Sequence, residues 1–140
     1  MKLVVDASVA LKWFLQDAAG ETNLFEALNI LKGVKTGEHE IFQPPHWLAE
    51  VLSVLVRKRP HSTHAALVDL RSLSQELPTT DADYVRAMEL SHRLNQHLFD
   101  ALYHAVALER GAVLVTADER YHTAAAAEGA ILRLSDFTIS

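Results

Sequence analysis

Lys2-Leu3-Val4-Val5-Asp6 opens the chain as a short apolar run that ends on a carboxylate. The run lacks the alternation of apolar and polar residues that a half-exposed strand shows, which is typical of a strand buried on both faces of a parallel sheet. Ser8 follows at a position where its hydroxyl can cap a helix over residues 9–15. The start of the chain therefore predicts the first strand and helix of an α/β fold.

The same succession of apolar strand and helix recurs along the sequence. We predict further strands at Glu40 to Gln43, Ala112 to Thr116 and Ala130 to Leu134. We predict helices at Glu21 to Lys35, His46 to Arg59, Ser62 to Ser74, Asp81 to Asn95, Leu98 to Arg110 and Glu119 to Ala127, with a short extended piece near Gln75 to Pro78. Strands separated by helices require crossover connections, so we expect a three-layer α/β/α domain with a four- to five-stranded parallel sheet. Because the sequence shows no repeat or linker, residues 1–140 are expected to form a single domain.

The composition narrows the class of protein. The 140 residues include no cysteine, which excludes disulfides and thiolate zinc sites and favours a reducing, cytoplasmic setting. No signal peptide is recognisable, and no uncharged stretch approaches the roughly 20 residues of a membrane span, so we expect a soluble protein. The formal net charge of −5 is unfavourable for contacts with nucleic-acid phosphates. Acidic residues that hold cations would reverse that sign locally.

Two carboxylates stand at the ends of predicted strands. Asp6 directly follows the first strand, and Asp118 lies two residues beyond Thr116. Ligands of open parallel sheets bind at the carboxyl ends of the strands, so neighbouring strands would bring these two side chains to one crevice. Each residue also has a structural explanation, Asp6 as a carboxylate at a helix N-terminus and Asp118 as the cap of the next helix.

Two further carboxylates lie within apolar helices. Glu50 shares a helix face with large apolar side chains, where a carboxylate is costly unless it is paired or binds a cation. A salt bridge to Arg57, Lys58 or another cation is the structural alternative. Asp100 lies in the first turn of an almost wholly apolar helix, where a capping role competes with a functional one.

The four carboxylates together are more informative than any one of them. Two such charges 4 Å apart repel by about 4 kcal/mol at an intermediate dielectric, which a fold tolerates only if cations bind there. Oxygen ligands without cysteine favour Mg²⁺ or Mn²⁺, and a water bound to the metal can attack a phosphodiester. Thr116 and Ser8 adjoin the same crevice and could hydrogen-bond a carboxylate. A strand-end threonine and a simple helix cap are their alternatives, and for Ser8 we favour the cap.

Four segments occur in a familiar order and spacing: LVVDASVALKWF (3–14), PPHWLAEV (44–51), LFDALYHAVA (98–107) and LVTADERY (114–121). Together they cover essentially the whole chain and resemble the PIN domains, most closely the VapC-type toxins of toxin–antitoxin pairs. The resemblance implies a PIN-like domain in which Asp6, Glu50, Asp100 and Asp118 hold Mg²⁺ or Mn²⁺. Thr116 falls on the hydroxyl position of the family, and Ser8 on the small polar residue after the first acid.

The resemblance also implies an activity and partners. VapC-type toxins are endoribonucleases that hydrolyse RNA phosphodiester bonds, usually as homodimers, and a cognate VapB-like antitoxin inhibits them. Lys12 and the run Arg57-Lys58-Arg59 are the obvious candidates for phosphate contacts, although the run is better explained as a solvated helix end. Trp13 and Phe14 belong either to the core or to a groove for an antitoxin helix. Among the histidines, His92, His97 and His104 fit no metal triad and are interpreted as surface or packing residues.

Three other readings compete with the metal-dependent nuclease. A catalytically silent PIN-like module that only binds proteins is the main alternative, and the complete set of four acids counts against it. A phosphatase of the haloacid-dehalogenase type needs a second Asp where this chain has Ser8. A receiver domain needs an acidic pair and a downstream Lys at strand ends, which the sequence does not supply.

Overall fold

The computed structural model of the chain describes residues 1–74 and 77–138. Within them four strands form one sheet in the spatial order β2-β1-β3-β4. All neighbouring strands are parallel. The strands are β1 (Lys2–Val5), β2 (Glu40–Ile41), β3 (Val113–Thr116) and β4 (Ile131–Arg133). The predicted α/β class with a parallel sheet is confirmed.

Seven α-helices accompany the sheet in the described residues: α1 (Ala7–Phe14), α2 (Leu24–Thr36), α3 (His46–Lys58), α4 (Thr63–Leu73), α5 (Asp81–Leu94), α6 (Leu98–Arg110) and α7 (Glu119–Ala125). Short 3₁₀ turns lie at Pro60–Ser62, Ala126–Glu128 and Leu134–Asp136. None of these helices is long and apolar enough to cross a membrane. The extended piece predicted near Gln75 to Pro78 begins at residues 75 and 76, which lie outside the described residues.

Several element boundaries differ from the prediction for local backbone reasons. Helix α1 begins at Ala7 rather than Val9, with Asp6 at its N-cap position. Helix α2 begins at Leu24, three residues after the predicted start, because Asn23 adopts a left-handed conformation (φ 55°) that no α-helix accommodates. Ala130 likewise has φ 55°, and β4 starts one residue after it. The sequence pattern located each element but not these end residues.

The core forms around β1 and α6. Leu3, Val4 and Val5 are fully buried, as expected for a strand covered on both faces. Helix α6 is buried without interruption from Ala101 to Ala107, which agrees with its almost wholly apolar sequence. Both β1 and β3 pack against α6, so this helix covers the two central strands.

The strand order creates a crevice between β1 and β3. From β1 the chain passes to β2 on one side of the sheet and later to β3 on the other, so the direction of winding reverses at this pair. Val5 is in register with Val115, and the Asp6 amide donates to the Val115 carbonyl at 3.0 Å. The two strands therefore end side by side, at the type of position where open α/β sheets bind ligands.

A buried glutamine fixes the other side of β1. The Gln43 side chain is fully buried, its Oε1 accepts from the Val5 amide at 2.8 Å, and its Nε2 donates to the Val5 carbonyl at 2.8 Å. The strand predicted to reach Gln43 ends at Ile41, and this side-chain amide takes the place of the next backbone pairing. It thereby holds the last residue of β1, directly before Asp6.

Candidate active site

Four elements place one acidic side chain each at this crevice. Asp6 lies at the junction of β1 and α1, and Asp118 is the N-cap residue of α7, just beyond β3. Asp100 lies in the first turn of α6, and Glu50 lies one turn into α3. The charges of Asp6, Asp100 and Asp118 act on one another, and Glu50 senses those of Asp6 and Asp100. The structure thus brings the four predicted acids into one electrostatic cluster.

Asp6 is the buried centre of the cluster, with only 8 % of its surface exposed. Its Oδ2 accepts hydrogen bonds from Thr116 Oγ1 at 2.7 Å and from Ser8 Oγ at 2.8 Å. The same hydroxyls accept from the amides of the following turn, Thr116 from Asp118 at 3.0 Å and Ser8 from Ala117 at 3.1 Å. The two hydroxyls therefore tie the carboxylate of Asp6 to the turn that carries Asp118.

The predicted cap role of Ser8 is wrong. Ser8 lies inside α1, which starts one residue before it, and its hydroxyl turns back to Asp6 instead of capping the helix. A carboxylate acceptor in a buried position outcompetes the exposed helix amides for this donor because charge-assisted hydrogen bonds are the stronger ones. The alternative that Ser8 and Thr116 hydrogen-bond a carboxylate is confirmed.

Asp118 combines a structural and an electrostatic role. Its Oδ1 accepts from the Tyr121 amide at 3.1 Å, which is the cap interaction predicted for it. Its other carboxylate oxygen forms no hydrogen bond within residues 1–74 and 77–138. The charge of Asp118 raises the pKa of both Asp6 and Asp100. One carboxylate therefore caps α7 and contributes negative charge to the crevice.

Among the residues that the structure describes, Glu50 forms no ion pair with Arg57 or Lys58. Arg57 donates to the Ser53 carbonyl instead, and the basic group near Glu50 is His46 Nε2 at 3.4 Å. That nitrogen already lies 3.0 Å from the Phe99 carbonyl oxygen, and burial lowers the pKa of His46. The buried Oε1 of Glu50 has no hydrogen-bond partner in the described residues. Burial, followed by the charges of Asp6 and Asp100, raises the pKa of Glu50 to about 7.

Asp100 is also perturbed and is not held as a cap. Its carboxylate forms no hydrogen bond in the described part of the chain, and the N-cap position of α6 belongs to His97. Burial raises the pKa of Asp100 to about 6, with further contributions from the charges of Asp6 and Asp118 and a partial offset from His97. A helix dipole alone would lower the pKa of a carboxylate in this turn, so burial, together with the neighbouring acids, outweighs the dipole.

Two residues missed in the sequence line the same crevice. The ring of His46 packs against Tyr103 with centroids 4.3 Å apart. Burial raises the pKa of Tyr103, and the charges of Asp6, Glu50 and Asp100 add to this effect, so the hydroxyl stays protonated. His46 could have been found from its position four residues before Glu50, on the same helix face. The burial of Tyr103 within the apolar α6 pattern left no comparable signal.

In the described part of the chain, no lysine or arginine forms an ion pair with any of the four acids at the crevice. Oxygen donors, raised carboxylate pKa values and the unpartnered Oε1 of Glu50 suit a hard divalent cation. Among residues 1–74 and 77–138, no three His, Asp or Glu side chains are gathered closely enough to form a complete ligand set. Mg²⁺ usually takes one or two carboxylates and keeps several waters, so this looser arrangement fits it.

The raised pKa values predict that the isolated protein becomes less stable as the pH rises. Folded Glu50 and Asp100 keep their protons up to about pH 7 and 6, whereas the unfolded chain loses them near 4.5 and 3.8. The folded state binds more protons within this window, so the free energy of unfolding falls as pH increases through it. Both groups are partly exposed, so we expect a loss of about 2 kcal/mol from about pH 5 to about pH 8.

Urea unfolding without divalent cations at these two pH values measures the loss. Replacing Glu50 with Gln should reduce the difference because the group no longer titrates, whereas replacing the exposed Glu89 with Gln should leave it unchanged. A wild-type protein that is equally stable at both pH values would contradict the electrostatic description of the cluster.

The basic residues singled out in the sequence are largely occupied elsewhere. Lys12 pairs with Glu21 at 2.9 Å, and Arg59 pairs with Asp17 at 2.8 Å. His104 is fully buried and bonds to the Tyr121 hydroxyl and the Gly129 carbonyl, which confirms the packing role predicted for it. Contacts to an anionic substrate therefore require other side chains than Lys12 and Arg59.

Comparisons with known proteins agree with the geometry. The family model of the PIN domain matches residues 3–127. No curated protein matches the chain. A similar fold occurs in a toxin–antitoxin complex from Klebsiella pneumoniae, with a TM-score of 0.70 and 16 % sequence identity over 98 % of this chain and 99 % of that one. Another occurs in VapBC2 from Rickettsia felis bound to a promoter DNA fragment, with a TM-score of 0.66 and 15 % identity over 88 % of this chain and 92 % of that one. A third is VapC20 from Mycobacterium tuberculosis, described as a sarcin-ricin loop cleaving toxin, with a TM-score of 0.59 and 21 % identity over 78 % of this chain and 83 % of that one.

Proposed function

The chain belongs to the PIN domain family, and from this premise we propose that it is a metal-dependent endoribonuclease of the VapC toxin type that hydrolyses RNA phosphodiester bonds. The observation that carries the proposal is the cluster of four carboxylates at the carboxyl ends of β1 and β3, where burial and the neighbouring acids raise the pKa values of Asp6, Glu50 and Asp100. The solved structures with a similar fold support it, since their descriptions name toxins and, in one case, cleavage of the sarcin-ricin loop.

Asp6, Asp100 and Asp118 would hold Mg²⁺ or Mn²⁺, with Glu50 as a ligand through water or as a base. When bound, such an ion acts as a Lewis acid, lowers the pKa of its water and neutralises charge on the phosphodiester. Carboxylate oxygens suit both ions, and the absence of cysteine disfavours the softer metals.

The protein side chains orient these carboxylates and handle the proton. Thr116, with Ser8, fixes the direction of the Asp6 carboxylate through the hydrogen bonds to Oδ2, so the catalytic group is held before a substrate arrives. Glu50 has a pKa of about 7 and an unpartnered Oε1, which suits a general base that takes a proton from water near neutral pH.

An RNA cleavage assay tests the proposal. The purified protein is incubated with labelled single-stranded RNA and Mg²⁺ or Mn²⁺, with matched samples that contain a chelator or a DNA strand of the same sequence. Endonucleolytic products should appear from RNA only with a divalent ion. Cleavage that persists in excess chelator would reject metal dependence, and no cleavage of any RNA with either ion would favour the silent binding module.

A groove beside α1 supports an antitoxin partner. The indole of Trp13 is buried and donates to the Ala27 carbonyl, so this residue belongs to the core. One edge of it nevertheless joins Phe14, Leu31 and Leu73 in lining a groove of about 380 Å³ between α1, α2 and α4. An amphipathic helix can place its apolar face in such a groove. We assign this surface to a VapB-like antitoxin, whose addition should suppress cleavage.

One face of α5 supports a homodimer. Tyr84, Val85 and Met88 are exposed by 44 %, 53 % and 58 % and lie within about one turn of each other. Exposed apolar side chains grouped in this way are typical of protein interfaces. Light scattering that gives twice the monomer mass for the wild type, and the monomer mass for Met88→Glu, would support this assembly.

The absence of cysteine is in keeping with a cytoplasmic location.

A further inference from the structure

A small polar pocket borders the acid cluster. It has a volume of about 190 Å³ and is lined by Asn95, Gln96, His97 and Arg120. His97 is three residues from Asp100 and close enough for its charge to act on that carboxylate, and Arg120 is two residues from Asp118. The pocket therefore lies beside two of the four acids, between the start of α6 and the start of α7.

Arg120 is available for an incoming anion. It is exposed and forms no ion pair or hydrogen bond within residues 1–74 and 77–138. Carboxylates engage the other arginines nearby: Arg93 pairs with Glu128, and Arg133 pairs with Asp136 and Glu119. A guanidinium presents a planar fork of donors that matches a phosphate. Asn95 lines the same pocket with a side-chain amide, whereas the amide nitrogen of Gln96 already donates to the Leu94 carbonyl.

Phe99 directly precedes Asp100 in the first turn of α6. Its side chain is 59 % exposed, although its backbone is held by the contact of its carbonyl oxygen with His46 Nε2. Its ring packs at a tilt of 30° against His46, with centroids 5.6 Å apart, which leaves much of the ring in solvent. An exposed aromatic ring on a fixed backbone is the usual platform for an unpaired base, because every base has a face that can stack.

We propose that Arg120 and Phe99 form a subsite for a single-stranded segment of the substrate, in which the Arg120 pocket binds a backbone phosphate and Phe99 stacks an unpaired base. The inference rests on the proposed ribonuclease function and specifies its substrate as unpaired RNA. It also explains how a chain with a net charge of −5 can hold a polyanion, since one free guanidinium and one aromatic ring stand beside the acids. Duplex RNA would not offer a free base to Phe99.

Binding of a labelled single-stranded RNA of about 12 nucleotides, a length within the usual range of single-strand sites, tests the phosphate contact. The measurement is fluorescence anisotropy with Mg²⁺ over a range of salt concentrations, in an Asp6→Asn background that prevents cleavage. Arg120→Ala should weaken binding about tenfold at low salt, the effect of losing a charge-assisted hydrogen bond. The slope of log K against log salt should become shallower by about 0.7.

Matched variants separate the site from the overall charge. Lys32→Ala removes the same charge from an exposed side chain that lines a different cavity, beside Met1 at the amino end of β1. It should leave affinity and slope nearly unchanged, and Arg120→Lys should retain most of the slope. Equal losses of affinity for Arg120→Ala and Lys32→Ala would overturn the phosphate site, because the effect would then come from the net charge of the protein and not from a local contact.

The stacking contact has its own pair of variants. Phe99→Ala should weaken binding of single-stranded RNA at least about fivefold, which is the lower end of the effect of losing one base stack. The salt slope should not change, because the ring carries no charge. Phe25→Ala removes an aromatic ring that is 70 % exposed on α2 and should have little effect. If Phe99→Ala weakens duplex RNA binding as much as single-stranded binding, the ring does not select unpaired bases and that part of the inference fails.

The two proposals can fail separately. If the wild type cleaves RNA and Arg120→Ala and Phe99→Ala change neither affinity nor KM, the subsite is wrong while the ribonuclease function stands. If the wild type binds RNA through Arg120 and Phe99 but cleaves none with Mg²⁺ or Mn²⁺, the subsite stands and the nuclease proposal fails. Circular dichroism of each variant confirms that the exposed substitutions leave the fold intact.

Discussion

Replacing Asp6 with Asn is expected to lower the rate of RNA cleavage about 10³-fold while the chain keeps its fold. Asp6 is the most buried of the four acids, and it receives two hydroxyl hydrogen bonds on one oxygen. Loss of its charge weakens the site for a divalent ion, whose stabilisation of the transition state amounts to several kcal/mol, with each tenfold change in rate equal to about 1.4 kcal/mol. The loss should appear in kcat more than in KM, because RNA binding uses other side chains.

The fold should survive because the substitution is nearly isosteric. The amide oxygen of Asn can still accept hydrogen bonds from Thr116 and Ser8. The change also removes a carboxyl group whose pKa is raised by burial, which means that its charged form is unfavourable in the folded protein. We therefore expect unchanged or slightly greater stability, measured by urea unfolding without added metal.

Asp81→Asn provides the control for this substitution. Asp81 is an exposed aspartate at the start of α5, so its replacement makes the same chemical change away from the crevice. It should keep full activity. Full activity of Asp6→Asn with added Mg²⁺ or Mn²⁺ would refute the assignment of the site, and loss of activity that accompanies unfolding would leave Asp6 with a structural role only.

The fold was predictable where the sequence pattern is strong. The unbroken apolar runs of β1 and β3 and the long apolar stretch of α6 are strong signals of buried elements, and each led to a correct element. The errors fall at element ends, where a single residue such as Asn23 in a left-handed conformation shifts a boundary. Such positions depend on tertiary contacts, for example the pairing of Lys12 with Glu21 just before α2, which the pattern does not contain.

The positions of two of the acids were predictable from the strand pattern, whereas the behaviour of the side chains around them was not. Asp6 and Asp118 follow apolar strands, and the sheet order that brings them together is a general property of open α/β folds. The direction of a small side chain such as Ser8 was not predictable, because capping and carboxylate binding need the same residue type at almost the same position. Whether Arg120 forms an ion pair depends on which carboxylates lie near it in the folded chain and which of them already pair with other arginines. Sequence spacing does not give that information.

Gln43→Leu is expected to reduce the free energy of unfolding by about 4 kcal/mol, because two buried backbone groups lose their partners at about 1–3 kcal/mol each. The Leu side chain fills a similar volume but can neither donate to the Val5 carbonyl nor accept from the Val5 amide. The site is fully buried, so water cannot readily replace the lost hydrogen bonds. The loss should appear as a lower urea midpoint with an unchanged slope.

Gln16→Leu supplies the comparison, since Gln16 is exposed and its amide donates to the Trp13 carbonyl rather than to a buried strand. It should change stability by well under about 1 kcal/mol, as is usual for surface substitutions. Because Val5 directly precedes Asp6, the Gln43 variant should also cleave RNA more slowly under conditions where it is still folded. A Gln43→Leu protein as stable as wild type would show that the amide is not needed to hold the end of β1. In that case Thr116 and Ser8 alone would have to account for the position of Asp6.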